Sequence, residues 1–302
     1  MKISTNLFFQ RASQQLVNNQ DRLAEVQLQL GTGKKINNAS DAPEKASTLQ
    51  RLRTLMAQQE SYKGNLEKLT ERLNNQDTAL RNVSSMMVRL RELSVQYANG
   101  TLSGDLRRIA AIEVRGIRDQ IYSLANTKDS NGLGVFGGSR VGEDAFSQNG
   151  TYAGDQTSTD VPIGDARAIS NRRSGTDVFI PLIRSGAGGQ TAVGFFKVID
   201  DLAEGLDANR VDDVKRAIEE INKLHQGISL AQADVGADLS SVQSQASNID
   251  DQLIRMKGLE SDLQDVDYAE AVSRMQKEML GLQAAQSSFA QLSQLSLFNY
   301  IG

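Results

Sequence analysis

Several residue types are absent from this chain or scarce in it, and each absence removes a class of chemistry. The 302 residues include no Cys, no Trp, one His and three Pro. Without Cys there are no disulfides, thiolate metal ligands or thiol nucleophiles, and a single His cannot build a multi-histidine metal site. The sequence therefore predicts no metal centre, no cofactor and no catalytic set.

Long apolar runs and a strong charge of one sign are missing as well. The longest uninterrupted apolar run is four residues, 109–112, and the first ten residues carry a run of only three. Runs of this length neither span a membrane nor form the apolar region of a cleaved signal peptide. The formal net charge of -4 gives no general electrostatic footprint for nucleic acid. We therefore expect no nucleic-acid partner and no membrane insertion.

The strongest positive signal is heptad periodicity. Apolar residues recur at spacings of three and four through 52–97, with only three polar members. This pattern is typical of one long coiled-coil helix. A second seam covers 235–263, shifts register as at a coiled-coil stutter, and resumes from Tyr268. Residues 105–126 and 195–230 also have helical periodicity, so both ends of the chain are expected to be helical.

The middle of the chain has a different composition. Residues 131–194 contain 13 of the glycines and two of the three prolines, with short alternating stretches such as TDVPIG and TDVFIPLI. Such a pattern is typical of hairpins and turns. The sequence predicts a mainly α protein with a β-rich insertion. We expect a long antiparallel coiled-coil helical domain formed by the N- and C-terminal halves, with a small all-β domain at its tip.

Three parts are expected along the chain. Residues 1–45 and 265–302 form a terminal coiled-coil region with a connector loop, 46–130 and 195–264 form a helical bundle domain, and 131–194 form the β-rich insertion domain. Burying one seam gains about 1.5 to 3 kcal/mol per large apolar side chain, which cannot offset the conformational entropy lost when its own helix becomes ordered. The two halves of the chain must therefore pair.

The terminal segments have the weakest apolar pattern and are the predicted assembly interface. Apolar residues at heptad spacing alternate there with Asn, Gln and Ser. We predict that both ends are mobile in the free monomer and become helical when many copies stack. The predicted interface consists of Leu16, Leu23, Val26, Leu30, Met275, Met279, Leu282, Phe289, Leu292, Leu295, Leu297 and Phe298.

Two glycine-rich stretches resemble nucleotide-binding loops. GTGKK at 31–35 lacks the spacing, the Ser or Thr and the preceding strand of a phosphate loop. It fits a helix–loop–helix connector better, with Gly31 or Gly33 as a left-handed cap and Asp41 as the cap of the next helix. GLGVFG at 132–137 matches G-x-G-x-x-G but follows a helical segment, whereas a dinucleotide-binding turn follows a strand.

The helix predicted over 105–126 is amphipathic. Its predicted buried face carries the apolar residues Leu106, Ile109, Ile112, Ile117, Ile121 and Leu124. A basic cluster is expected on the solvated face and consists of Arg107, Arg108, Arg115 and Arg118.

Three segments resemble bacterial flagellins, and together with the rest of the pattern the resemblance covers nearly the whole chain. They are GKKINNASDAPEKAS at 33–47, the segment 90–132, and DVDYAEAVSRMQKEMLGLQAAQSSFAQ at 265–291. One departure is visible, since the family tends to carry two aspartates before the proline and this chain has Asp41, Ala42 and Pro43.

Four shorter stretches resemble the hook–filament junction branch of that superfamily. They are VFGGSR at 135–140, YAGD at 152–155, GTDVF at 175–179 and LSLFNYIG at 295–302. The resemblance implies a secreted, extracellular structural subunit of the bacterial flagellum, which leaves the cell unfolded by flagellar type III export. The implied partners are sister copies in a ring, the first hook-associated protein, flagellin and a flagellar export chaperone.

Two other functions stay open at this point. The first is a flagellin-type filament subunit, because the same segments resemble flagellin itself. The second is a nucleotide-binding enzyme that uses Gly132, Gly134 and Gly137. A strand before these glycines would favour a binding loop, and a helix before them would favour a simple turn.

Overall fold

The computed structural model describes most of the chain. The described residues are 2–129, 132–138, 143–157, 160–170, 173–186 and 189–301. At the two ends, the side chains of 2–6, 8 and 292–301 lie outside the description. The chain divides into two compact units, which we call the terminal unit, residues 1–58 with 252–302, and the central unit, residues 59–251.

Seven helices and four short strands follow one another along the described residues. The helices are α1 (Lys2–Thr32), α2 (Pro43–Tyr97), α3 (Gly104–Ala125), α4 (Gly175–Val178), α5 (Phe195–Asp207), α6 (Val211–Gln264) and α7 (Tyr268–Ile301). The strands are β1 (Asp160–Gly164), β2 (Arg167–Ser170), β3 (Leu182–Gly186) and β4 (Gly189–Val193). Within the described residues, no helix combines the length and the hydropathy needed to cross a bilayer.

The core of the central unit lies between α2 and α6, which run antiparallel. Lys63 Nζ forms an ion pair with Asp250 Oδ1 at 2.7 Å, and Ser84 Oγ lies 3.0 Å from His225 Nε2. Residues later in α2 therefore contact residues earlier in α6. The predicted seam of α2 is buried here to 2% exposure or less at Leu66, Leu69, Leu73, Leu80, Val83, Met87 and Leu90. The mainly α fold, built from both halves of the chain, is confirmed.

The first half of α3 buries a different face from the one predicted. Leu106, Ile109 and Ile112 are 44%, 63% and 66% exposed, and the small residues Ala110 and Ala111 are buried instead. Small side chains allow a close approach of the helix to its neighbours, which larger residues on that face would prevent. The prediction is correct only for the second half, where Ile117 and Ile121 are buried.

Arg107 was predicted on the solvated face of α3, and this was wrong. Its side chain is buried, with 1% exposure. The guanidinium donates to the carbonyl oxygens of Tyr97 at 3.1 Å and of Asn99 at 2.6 Å, and to Oδ1 of Asn209. A buried cation is tolerated where several oxygens accept from it. Arg107 therefore ties the α2–α3 turn to the α5–α6 turn.

Two helix breaks were not predicted. The periodic segment 195–230 is interrupted between α5 and α6, where Asn209 adopts a φ of 56°. The register shift after 263 is a full break between α6 and α7 rather than a stutter inside one helix. Asn tolerates the left-handed region better than most residues, which suits it to this turn.

The β-rich insertion is confirmed, and it contains two separate antiparallel hairpins. Strand β1 pairs with β2, and β3 pairs with β4. The hairpins pack against helices rather than against each other. Asn65 donates to the Pro162 oxygen at 3.0 Å, and Gln245 donates to the Ile163 oxygen at 3.2 Å, so the first hairpin lies against α2 and α6. A two-stranded sheet alone is only marginally stable, and helices supply its missing core.

The second hairpin is held by an ionic network centred on Arg184 of β3. Its guanidinium donates twice to Glu220, at 2.8 Å each, and once to Asp201 at 2.8 Å. Glu220 is almost fully buried. Hydrogen bonding to Glu220 and Asp201 outweighs burial and raises the pKa of Arg184. Burial acts to raise the pKa of Asp201, but Lys197 and Arg184 together hold it below its usual value.

We expect Arg184→Met to lower the free energy of unfolding of the full chain by about 2 kcal/mol, because it leaves the Glu220 carboxylate buried without its bidentate partner. Urea unfolding followed by circular dichroism measures the change. The matched control is Arg216→Met, since Arg216 reaches the same carboxylate at 3.6 Å from an exposed position. That variant should lose about 0.5 kcal/mol or less, and equal losses would contradict the assigned role of Arg184.

Candidate assembly interface

The terminal unit is built around an antiparallel pair of helices, α1 and α7. Phe9 and Phe289 meet edge to face with ring centroids 5.7 Å apart. Further along the pair, Arg22 lies 3.5 Å from Glu278. Phe9 was not in the predicted interface, although its place in an apolar run with Leu7 was a usable signal.

The structure places the predicted interface residues at different depths. Val26 is buried, and six others are half-buried, namely Leu16, Leu23, Leu30, Met275, Leu282 and Phe289. Met279 is exposed. The remaining four lie outside the described side chains, namely Leu292, Leu295, Leu297 and Phe298. The predicted role of all twelve in assembly stays a prediction.

An open apolar groove of about 490 Å³ runs along this helix pair. Met279 and Leu280 are its most exposed apolar walls, at 51% and 67%. The residues that line it are Leu23, Gln276, Met279, Leu280, Leu282, Gln283 and Gln286. Leu280 was missed because it lies off the heptad seam. Apolar walls with a rim of uncharged amides can bury area against a neighbour and still exchange hydrogen bonds with it.

The outer side of α1 is also partly apolar. Val17 and Leu28 are exposed and lie on one side of the helix, because eleven residues complete about three turns. By contrast, two polar side chains of α1, Asn19 and Gln29, are buried. Buried polar groups at helix–helix contacts fix register at a cost in stability. Asn19 accepts from Gln15 and Arg22 of its own helix, whereas Gln29 accepts from Arg274 of α7 at 3.4 Å, so the α1–α7 pair combines polar contacts with apolar ones.

The connector after α1 is a helix–loop–helix joint, as predicted. Gly33 adopts a φ of 68°, which identifies it as the left-handed cap. The Lys35 N–H donates to the Gln264 oxygen at 2.6 Å, and the Val266 N–H donates to the Gly33 oxygen at 3.0 Å. These bonds join the connector to the break between α6 and α7. A phosphate loop would offer its backbone N–H groups to a ligand, whereas here the Lys35 N–H already donates within the protein.

Asp41 does not cap α2, and that prediction was wrong. Its Oδ2 accepts from the Asn38 N–H at 2.7 Å and from the Asn37 N–H at 3.0 Å, so the carboxylate closes the connector loop. The bond from Asn38 is the main cause that lowers the pKa of Asp41, against the opposing effect of burial. Ala42 supplies the first acceptor of α2, to the Ala46 N–H at 2.8 Å.

A second exposed apolar surface lies in the central unit. We call it the α3 ridge and define it as Leu106, Ile109 and Ile112, with Val88 and Val95 of α2 also exposed. An ion pair of 2.7 Å between Arg89 and Glu113 borders it. Exposed apolar patches with a charged border are typical of protein–protein contacts. The sequence pattern contained Leu106, Ile109 and Ile112 but assigned them to the core.

The glycine stretch 132–137 is a turn and not a dinucleotide site. Helix α3 precedes it, Gly132 has a φ of 74°, and the Val135 N–H donates to the Thr127 oxygen at 2.9 Å. Arg72 donates to the Gly134 oxygen at 2.9 Å. A dinucleotide-binding turn needs a strand before it, and this one follows a helix. Among the described residues, no three Asp, Glu, His or Cys side chains converge as a metal site would require.

Two family models match the chain. Residues 3–140 match the bacterial flagellin N-terminal helical region, and residues 218–301 match the bacterial flagellin C-terminal helical region. Flagellar hook-associated protein 3 of Salmonella typhimurium is 28% identical over 99% of this chain and 99% of its own length. Flagellin of Listeria monocytogenes is 26% identical over 97% of this chain and 96% of its own length.

A solved structure has the same fold. The flagellar junction protein of Legionella pneumophila superposes with a TM-score of 0.60 at 16% identity, covering 72% of this chain and 99% of that structure. The two flagellin models together match well over half of the chain, and they fall on the helical halves that pair in the structure. The chain belongs to the bacterial flagellin family, whose members are non-enzymatic structural proteins of the extracellular flagellum.

Proposed function

We propose that this chain is a subunit of the junction between the flagellar hook and the filament. The observation that carries the proposal is the match to hook-associated protein 3, which extends over 99% of both chains and so includes the β-rich insertion as well as the helical ends. Family membership alone supports only a flagellar structural subunit. The match through the insertion supports the more specific role.

The terminal unit supports a role in self-assembly. Residues 1–45 and 265–302 are proposed as the terminal assembly region, in which α1 and α7 leave the groove at Met279 and Leu280 open. A large apolar side chain gains about 1.5 to 3 kcal/mol when it is fully buried. Several such gains per subunit contact are enough to hold neighbouring copies in a closed ring.

The proposed partners follow from the same surface. A junction subunit contacts the first hook-associated protein on one side and flagellin on the other, and helical ends shared with flagellin allow it to meet both. Before assembly, an export chaperone is proposed to cover the C-terminal helix, because an exposed apolar groove otherwise favours premature association. The lack of disulfides suits passage as an unfolded chain through an export channel.

A filament subunit is the second candidate function. The observation that favours it is the 26% identity to Listeria flagellin over 97% of this chain, nearly as high as the identity to the hook-associated protein. Both functions use the same helical ends. They differ in what the cell loses when the protein is absent.

Deletion of the gene in its native host separates the two functions. We expect cells that still synthesise and export flagellin but shed it into the medium, with bare hooks in electron micrographs, because the filament has no layer on which to start. Immunoblots of culture medium and negative-stain microscopy make the measurement. Loss of the filament protein itself, with no flagellin in the medium, would identify a filament subunit instead.

We expect Leu280→Ser to weaken assembly while the monomer stays folded. Leu280 is 67% exposed, so its removal should change monomer stability by about 0.5 kcal/mol or less. Loss of one buried leucine per contact should weaken binding between copies roughly tenfold or more. Complementation of the deletion strain, together with sedimentation of the purified variant, measures both effects.

Leu230→Ser is the matched control, because Leu230 has the same 67% exposure on another helix, α6. It should complement motility and assemble as the native chain does. If Leu280→Ser assembles normally, or if both variants fail to the same extent, the groove is not the contact surface.

A further inference from the structure

Two identical Asn-Gly-Thr tripeptides, at 99–101 and 149–151, lie in turns of the central unit. In each turn the asparagine Oδ1 accepts a hydrogen bond from the threonine N–H two residues on, at 3.2 Å for Thr101 and 3.1 Å for Thr151. A hydroxyl reaches the same oxygen, from Thr101 in one turn and from Ser147 in the other. Both asparagines are exposed, and in each the side-chain carbonyl is polarised by one N–H donor and one hydroxyl donor.

The two turns differ at the glycine that follows. The Gly150 N–H donates to the Ser147 oxygen at 2.8 Å, and a Cβ placed on Gly150 would lie 2.5 Å from Cβ of Phe196. The Gly100 N–H has no hydrogen-bond acceptor among the described residues, and no atom lies within 4 Å of the position that a Cβ on Gly100 would occupy. The Gly150 nitrogen is therefore hydrogen-bonded and packed against Phe196, whereas the Gly100 nitrogen makes no hydrogen bond within the described residues.

We propose that Asn99 is a site of spontaneous deamidation and that Asn149 is protected from it. The Gly100 nitrogen loses its proton and forms a bond to Cγ of Asn99, the bond from Cγ to the side-chain nitrogen breaks, and ammonia leaves. The product is a five-membered succinimide ring, which water then opens. The reaction consumes one water and needs no oxidant, reductant or cofactor. Glycine suits this step because no side chain shields its nitrogen.

Arg107 directs how the ring opens. Its guanidinium donates to the main-chain oxygen of Asn99 at 2.6 Å from a buried position. When water adds to the carbon that bears this oxygen, negative charge develops on the oxygen and a hydrogen-bonded cation stabilises it. Opening at this carbon leaves the chain running through Cγ, which is an isoaspartyl linkage. The former carbonyl becomes a carboxylate beside Arg107, so isoaspartate forms in preference to aspartate.

Deamidation of Asn99 would alter the turn between α2 and α3. Deamidation adds one negative charge and one backbone methylene to the turn that Arg107 ties to Asn209. The same turn leads into the α3 ridge at Leu106. Modification therefore alters the anchor of the ridge without removing any of its side chains.

The experiment incubates the purified full chain at mildly basic pH and follows both tripeptides by peptide mapping, with fragmentation that separates isoaspartate from aspartate. In the folded protein Asn99 should lose ammonia roughly tenfold faster than Asn149, the factor expected for one backbone hydrogen bond. In denaturant the two rates should converge, because the tripeptides are identical. The isoaspartyl share of the product at position 99 should be higher in the folded chain than in denaturant, where Arg107 no longer contacts the ring.

Gly100→Ala is the control variant, because the space around Gly100 accepts a methyl group. It should slow the reaction at Asn99 and leave the rate at Asn149 unchanged. Equal rates at the two sites in the folded chain, or a faster reaction at Asn149, would overturn the proposal. An isoaspartyl share at position 99 that is the same in the folded chain and in denaturant would overturn the role given to Arg107.

Discussion

The antiparallel contact between α2 and α6 in the central unit is the interaction on which the other elements depend. One helix of this length cannot offset its own ordering cost of about 1 to 2 kcal/mol per residue by burying a single apolar strip. Two strips facing each other, with Leu80 on one helix and Ile249 on the other both fully buried, bury each other. Helices α3 and α5 and both hairpins are then added to a helix pair that already has a core.

Among the described residues, the terminal unit buries fewer apolar side chains than the central unit does, and this difference supports its proposed role in assembly. Of the predicted interface residues with described side chains, only Val26 is buried, while Met279 remains exposed. Buried Gln29 accepts a hydrogen bond from Arg274 of α7 at 3.4 Å, a polar contact of the kind that fixes helix register at a cost in stability. A helix pair of this kind gains most when further apolar surface arrives from outside the chain. The physical basis of the proposed junction is therefore an incomplete core that neighbouring copies complete.

Sequence patterns predicted the parts of the fold that depend on long repeats. The α2 seam follows from heptad spacing alone, and the β-rich insertion follows from its glycines and alternating residues. The face of α3 could not be predicted, because the pattern assigns the larger residues Ile109 and Ile112 to the core, whereas close packing selected Ala110 and Ala111. Arg107 was missed for a related reason, since only the fold brings the oxygens that bind it to one place.

Local motifs were predictable only where one residue decides the conformation. The left-handed cap was narrowed to Gly31 or Gly33 because glycine adopts positive φ at little cost, and the structure places it at Gly33. Asp41 was misassigned because the same carboxylate can cap a helix or close the loop before it, and the loop geometry decides between them. Leu280 was missed because a heptad seam describes one contact face, whereas the proposed assembly groove includes residues from another face of the same helix.

Amide hydrogen exchange on the monomer and on the assembled protein distinguishes a terminal unit that neighbouring copies complete from one that is complete by itself. We expect strong protection of the α2 seam, 66–90, in both states. Helices α1 and α7 should exchange rapidly in the monomer and become protected on assembly, because neighbouring copies complete their packing. Protection of α1 and α7 in the isolated monomer equal to that of the α2 seam would contradict this expectation, since a terminal unit that is complete by itself has nothing to gain from its neighbours.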